Sequence, residues 1–432
     1  MKQTLLAFFA AALLCGATTA SPAHASEAPA SAPAPAADAH AQLLARLREV
    51  AQPLALANGR LDGPGAAWIA RESEQAQFVL VGEDHGMADI PQFATALWNA
   101  AGAHPFDQLV VEAGPYASTV MSDLRDDKGL AALNARYPTA IPFFNWREDG
   151  AMVANALRDG NGALCGIDQE FVLSGRLLFR RLADMTRNAD ARALAIAYAE
   201  RDEALYRDMV AKRNPELSLF SQLEAADFAR LKQAFVHDAD ALAMLADIET
   251  SVEIYRLQQT DSFRSNAMRS ALMKRNLMRC LRADATKTTP PRALFRMGAF
   301  HVGRGLSPTG LFDVGNLASE LAQSNGMRSL HLLVVAADGE ANRWFPFADE
   351  DAAKHAPYHG NDELDVVGAL PLLEVADHEH WTLIPLASLR STSAAPLRRA
   401  GGERFETLVN AYDAVVVIPR ARAATLYGDS TR

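Results

Sequence analysis

Cysteine is scarce in this chain. Only three of its 432 residues are cysteine, too few for a small scaffold held together by disulfides. Cys15 directly follows an N-terminal apolar run and falls in the expected signal, so only Cys165 and Cys280 belong to the folding part. One falls in a strand-like stretch and the other near a helix end. Two buried free thiols are the simplest expectation, with a disulfide open as the alternative in an oxidising compartment. Long hydrophobic runs are also missing: nothing approaches the roughly 20 apolar residues a membrane-spanning helix needs. Positive charge is not in excess either, since 42 Lys and Arg against 52 Asp and Glu give a formal net charge of −10. Without a basic stripe, such a chain is a poor binder of nucleic acid. Gly-x-Ser-x-Gly, His-Glu-x-x-His and Walker motifs are absent, which removes the usual support for serine-hydrolase, zincin and nucleotide-hydrolase chemistry.

What is present is globular: 49% hydrophobic and 22% charged residues, in a chain long enough for one large or two ordinary domains. Lys2, the apolar run Leu5 to Leu14 and the small residues ending Ala23-His24-Ala25 read as a secretory signal over 1–25. That predicts a periplasmic or secreted protein. Leu14 stands where a lipobox wants a small residue, which speaks against lipidation at Cys15. The alternating Ala and Pro of 26–40 form a semi-rigid linker, and folding is expected over 41–425.

Four segments share a design, a short apolar run closed by an acid or a histidine. They are Phe78 to Gly86, Leu109 to Gly114, Ala163 to Asp168 and Ala293 to His301. Helical patterns separate them, so the expected fold class is α/β, with a mostly parallel central sheet wound with helices. Asp89 is placed to cap the helix after the first strand, with Pro91 in its first turn. Between 171 and 285 the texture becomes rich in Ala, Leu, Arg, Glu and Met with a period near 3.6, which predicts a large all-helical insertion. Strands resume at Leu330 to Ala336 and Ala414 to Pro419.

In parallel sheets ligands bind beyond the carboxyl ends of the strands. There Glu83, His85, Glu112, Asp168 and His301 are expected to gather. Glu83-Asp84-His85 lies between Gly82 and Gly86, and the neighbouring acids would raise the basicity of the histidine and fix its tautomer. Glu112 either serves the site or caps the following helix, and the same two roles stand open for Asp168. Arg269, Met273 and Asn276 share one helix face, from which Arg269 could hold a carboxylate or an oxyanion. Trp146 is either a lid aromatic or a core anchor, with Glu148 as a further acid beside it. His355 with His359, and Asp377-His378-Glu379-His380, look like metal sites by composition only, since Pro357 breaks the first pair's helix.

Taken in order, these segments resemble the erythromycin esterase-like family, within the larger group that includes ChaN-like haem-binding proteins and the TraB/TIKI proteins. Gly82-Glu83 and His85-Gly86, Val111-Glu112, Trp146 to Glu148, Leu157-Arg158, Gly166-Ile167-Asp168, the Arg269, Met273, Asn276 helix, His301 and Tyr412 to Val415 carry the resemblance over residues 70 to 420. A single residue between Glu83 and His85, and the Gly-Ala-Phe-His run, stand closer to the ChaN-like and TraB-like members. The resemblance implies a hydrolase of esters or lactones acting on a small molecule. His85 would be its general base, with Glu83 and Glu112 orienting it and His301 and Arg269 polarising the carbonyl. Trp146, Glu148, Asp168 and Asn276 would lie on the substrate side. No cofactor and no metal ligand is expected on this reading. The alternatives it leaves open are a TIKI-type hydrolase dependent on Mn²⁺, Zn²⁺ or Co²⁺, and a ChaN-like haem binder without turnover.

Overall fold

The computed structural model describes residues 34–429, apart from 103, 125, 159, 161, 284–288 and 347–349. The expected signal and most of the expected linker lie outside the described residues. The first described helix, Ala34–Val50, begins within the stretch expected as linker, so 34–40 are its opening turns.

Among the described residues ten strands follow in chain order: β1 (Gln52–Ala57), β2 (Arg60–Asp62), β3 (Ala76–Glu83), β4 (Gln108–Val111), β5 (Ala163–Gly166), β6 (Ala293–Gly298), β7 (Arg328–Ala341), β8 (Ala356–His359), β9 (Trp381–Pro385) and β10 (Ala414–Ala421). They form one sheet in the order β2-β1-β9-β10-β7-β3-β6-β4-β5, with β8 paired to β7. From β10 to β5 neighbouring strands run parallel. The antiparallel β1, β2, β8 and β9 extend it. These four strands are short and partly exposed, and β1 and β2 form a hairpin.

Alternation along each strand builds two faces. Val79 and Val81 of β3 join Phe93 and Leu97 of the helix Asp89–Ala100 and Val111 of β4 in one core. Phe78 and Leu80 join Phe295, Met297, Met273 and Leu277 on the other. Asp89 does not cap its helix, as the sequence suggested; Ala88 occupies that place, and the Asp89 carboxylate accepts from the backbone N–H and guanidinium of Arg422. The helices from Gly175–Asp184 to Ser262–Ala283 form the insertion, with a separate core around Phe179, Leu231 and Ile248. Among the described residues no helix is long and apolar enough to cross a membrane.

The insertion returns the chain to β6, which takes its place between β3 and β4. After β3 the chain passes β6 to reach β4; after β6 it passes β3 to reach β7. A crevice at such a crossing, beyond the carboxyl ends, is where open α/β sheets place ligands. Cys165 on β5 and Cys280 on the last helix of the insertion form a disulfide, with Cα atoms 6.1 Å apart. The expectation of two free thiols is thereby corrected: sheet and insertion pack so that this distance suits the bond.

Candidate active site

The loop after β3 turns at Gly86, whose φ of +90° favours glycine and where a Cβ would collide with the Asn342 carbonyl. Arg343 clamps the loop, bonding the Asp84 carboxylate at 2.8 Å and the His85 carbonyl at 2.9 Å. Asp84 is thus turned to Arg343 rather than to the imidazole. The acid that orients His85 is Glu83, whose Oε1 accepts from Nδ1 at 2.6 Å. Nε2 is left to face the cleft, 3.5 Å from Oε2 of Glu112.

A second imidazole mirrors the first. β6 stops at Gly298, three residues short of His301, which sits on the single helical turn Ala299–Val302. Its Nδ1 bonds Asp313 at 2.8 Å, and its Nε2 lies 3.6 Å from Oε1 of Glu112. Glu112, one residue beyond β4, therefore stands between two histidines that are each anchored by another carboxylate. The backbone N–H of Gly298 donates to its Oε2 at 2.6 Å. A Cβ at Gly298 would come within 3.2 Å of both Glu112 Oε2 and His85 Nε2, so a side chain here would crowd both groups.

Arg269 joins this core from the insertion. Its Nε and Nη2 grip Asp168 at 2.8 and 2.6 Å, while Nη2 also reaches Glu112 Oε1 at 2.7 Å. Glu112 and Asp168 thus both turn to Arg269, and it is the Glu170 carboxylate that accepts from the Tyr116 N–H at the start of the helix Pro115–Leu124.

Electrostatics follows from burial among opposite charges. Burial pulls the His85 pKa down, but Glu112 and then Glu83 outweigh it and push it up to about 9. For His301, burial and Arg269 lower the value, yet Asp313 and Glu112 leave it raised. Burial raises the Glu112 carboxyl, while His85, His301 and Arg269 hold it well below the usual carboxylate range.

Glu83, His85, Glu112, Arg269 and His301 line one cleft of about 800 Å³ including its open mouth. The expected substrate contacts fare differently. Asp168 lies behind Arg269 rather than on the cleft wall. Asn276 is buried and donates to the Ile167 carbonyl, and Glu148 accepts from the Thr425 N–H, so neither reaches the cleft. Trp146 lines a different cavity. His355 and His359 are exposed, each paired with a single acid, and Asp377 binds the backbone of its own loop. Among the described residues no group of three or more His, Cys, Asp or Glu is arranged to hold a metal ion.

Three site residues were not foreseen. Arg296 lies within β6, fully buried, 2.8 Å from Glu83 Oε1 and 2.6 Å from Asp149 Oδ1. Its charge in an otherwise apolar central strand was the available signal, because a buried guanidinium requires acidic partners. Burial pushes the Asp149 carboxyl up to about 7, with Arg296 drawing it down and Glu83 raising it. Phe143 stacks on the His85 ring, centroids 3.8 Å apart and planes 19° apart; nothing local in the sequence marks it.

No family model matches the chain, and no curated protein matches it in sequence. Among solved structures its fold is similar to that of a mutant of the erythromycin esterase EreC in its open conformation. The TM-score is 0.56 at 15% identity, covering 88% of this chain and 100% of the other. A Bacillus cereus protein gives a TM-score of 0.53 at 14% identity, covering 90% and 99%. A succinoglycan biosynthesis protein gives 0.56 at 12%, covering 90% and 98%. Identities this low establish a common fold and leave the chemistry to the site.

Proposed function

We propose that this protein is an exported hydrolase of esters or lactones that uses an imidazole general base. The observation that carries the reading is the pair of carboxylate-anchored histidines whose Nε2 atoms flank Glu112 at 3.5 and 3.6 Å. One structural neighbour is named an erythromycin esterase, which favours carboxylic ester chemistry without naming a substrate for this chain. The disulfide supports an oxidising compartment.

In this mechanism neutral His85 takes a proton from water at Nε2 while the water oxygen adds to the ester carbonyl carbon. Nδ1–H stays on Glu83, which stabilises the imidazolium that forms. The carbonyl π pair moves onto oxygen, where Arg269 and the Nε2–H of His301 face the developing charge. One such preorganised donor is worth about 10²–10³ in rate. Collapse expels the alcohol oxygen, which receives its proton from Nε2–H of His85.

The alternative would make His85, His301, Glu83 and Glu112 ligands of Mn²⁺, Zn²⁺ or Co²⁺. These donors do not fit a resident dication well. Glu112 is already engaged by Arg269 and the Gly298 N–H, and Glu83 by Arg296 and His85. Two buried guanidinium ions therefore occupy the charge balance a metal would need. The test is an ester and lactone screen on purified protein with and without chelator. Persistent hydrolysis supports the proposal. Loss on chelation with rescue by added metal replaces it with the metal-dependent reading, and a Soret band on haem titration without hydrolysis replaces it with the binding-protein reading.

A further inference from the structure

Among the described residues four large apolar side chains stand exposed: Val236, Phe263, Leu306 and Phe312. A lone exposed apolar residue is ordinary, whereas several gathered at one place mark a site of interaction. Three of these four gather. Leu306 and Phe312, 54% and 59% exposed, face each other across an antiparallel bridge, which sets their side chains on the same side of the ribbon. Ser307-Pro308-Thr309-Gly310 turns the chain between them. The Gly310 N–H donates to the Ser307 carbonyl at 2.9 Å, with proline and glycine where a type I turn takes them. Phe263, 59% exposed in the first turn of the helix Ser262–Ala283, lies against this turn, since a Cβ on Gly310 would stand 3.7 Å from its ring. An ordered loop thus holds three apolar groups in water.

The patch adjoins the candidate active site. Thr309, within the turn, and Asn266, three residues along the helix from Phe263, line the same cleft as His85, Glu112, Arg269 and His301. Phe300, Leu364, Val366 and Val367 carry apolar lining into that cleft. The ribbon is also tied to the chemistry at its far end. Phe312 is followed by Asp313, which bonds His301 Nδ1 at 2.8 Å.

We propose that the ester hydrolysed at His85 carries an extended hydrocarbon chain, which Phe263, Leu306 and Phe312 receive where it leaves the cleft beside Thr309. Continuity with the cleft assigns the patch to substrate, and a formal net charge of −10 disfavours an anionic lipid surface as its occupant. The proposal rests on the hydrolase reading for the reaction, though not for binding of the chain. Because Asp313 follows Phe312 directly, a chain seated on the ribbon bears on the carboxylate that anchors His301.

The test compares p-nitrophenyl octanoate with p-nitrophenyl acetate, both below micelle-forming concentrations, and titrates the inert probe N-methyloctanamide by calorimetry. It uses the full protein and the triple variant Phe263→Ser, Leu306→Ser, Phe312→Ser. Each methylene kept from water is worth about fourfold, so losing contact with two of them costs more than about tenfold. The ratio of kcat/KM for octanoate to that for acetate is therefore expected to fall about tenfold or more in the variant, and amide binding to weaken by a similar factor. An unchanged ratio, or amide binding that the substitutions leave unchanged, overturns the proposal. If the parent cleaves neither ester, the hydrolase reading fails and the titration alone decides the patch: binding that the variant loses supports it, and equal binding or none overturns it. A dimer of the parent that the substitutions dissociate in sedimentation assigns the patch to a second copy of the chain and also overturns the proposal. Should the triple variant not fold, Phe263→Ser alone decides by the same two readouts.

Discussion

Oε1 of Glu83 lies 2.6 Å from Nδ1 of His85, and this one bond leaves Nε2 as the ring nitrogen that faces the cleft. Replacing the imidazole should therefore remove the base itself, whereas replacing the carboxylate should only loosen it. His85→Ala is expected to lower kcat/KM by about 10²–10⁴, the range of a general base. Glu83→Gln should lower it less, since the amide oxygen still accepts from Nδ1–H. Steady-state kinetics on any ester the protein cleaves checks both, and a His85→Ala protein as fast as the parent removes His85 from the mechanism.

The raised pKa of His85, about 9 in the ligand-free protein, gives the pH dependence its sign. The base is the neutral form, so kcat/KM should climb nearly tenfold per unit from pH 7 and level off as pH passes about 9. Glu112→Gln removes the carboxylate that contributes most to the upward shift. Its profile should break at lower pH, toward the ordinary imidazole value near 6.5. A profile flat between pH 7 and 9 in the parent would contradict the assignment.

Gly298→Ala introduces a Cβ about 3.2 Å from both His85 Nε2 and Glu112 Oε2. The backbone there has φ −53° and ψ 140°, which alanine adopts without strain. Activity should drop by about tenfold or more while the unfolding midpoint changes little, because a displacement of a few tenths of an ångström matters more to reacting groups than to packing. Kinetics and thermal melts on the same sample separate the two effects.

Arg296→Met leaves Asp149 and Glu83 buried beside an apolar side chain. Breaking a buried ion pair in this way costs about 3–5 kcal/mol, readable as a shift of the urea midpoint at unchanged slope. Adding Asp149→Asn removes one of the stranded charges and should recover part of the loss. A single-variant loss under about 1 kcal/mol would show that the network carries little energy.

The disulfide Cys165–Cys280 spans 115 residues and encloses the insertion up to Cys280 in its last helix. Chain-entropy estimates for loops near 100 residues reach about 4.7 kcal/mol, with measured native bridges at about 2–5 kcal/mol. Reductant, or the double change Cys165→Ser and Cys280→Ser, should lower the melting temperature and loosen the helix that carries Arg269. Equal melting temperatures with and without reductant would mean the cysteines are unpaired in the protein.

Much of the architecture could be read from residue order. Apolar runs with few glycines inside them and an acid or histidine at the end are sufficient to locate β3, β4, β5 and the start of β6, because strand formation depends on local side-chain alternation and burial. Glu83, His85, Glu112 and His301 were legible for the same reason: a charged group at the end of a buried strand must leave the core or be paired. Short, partly exposed β1, β2, β8 and β9 escaped because their pairing, rather than their composition, makes them strands.

The sequence by itself determined the α/β winding, the helical insertion and which ionisable groups stand at strand ends, since these follow from periodicity over a few residues. Only the tertiary structure decided which acid serves which histidine, that Asp84 turns to Arg343, that Asn276 is buried, that Arg296 links Glu83 to Asp149, and that the two cysteines meet. The physical reason is strand order. β6 enters between β3 and β4 from far along the chain, and charges separated by long stretches of sequence become neighbours through a choice that no local pattern encodes.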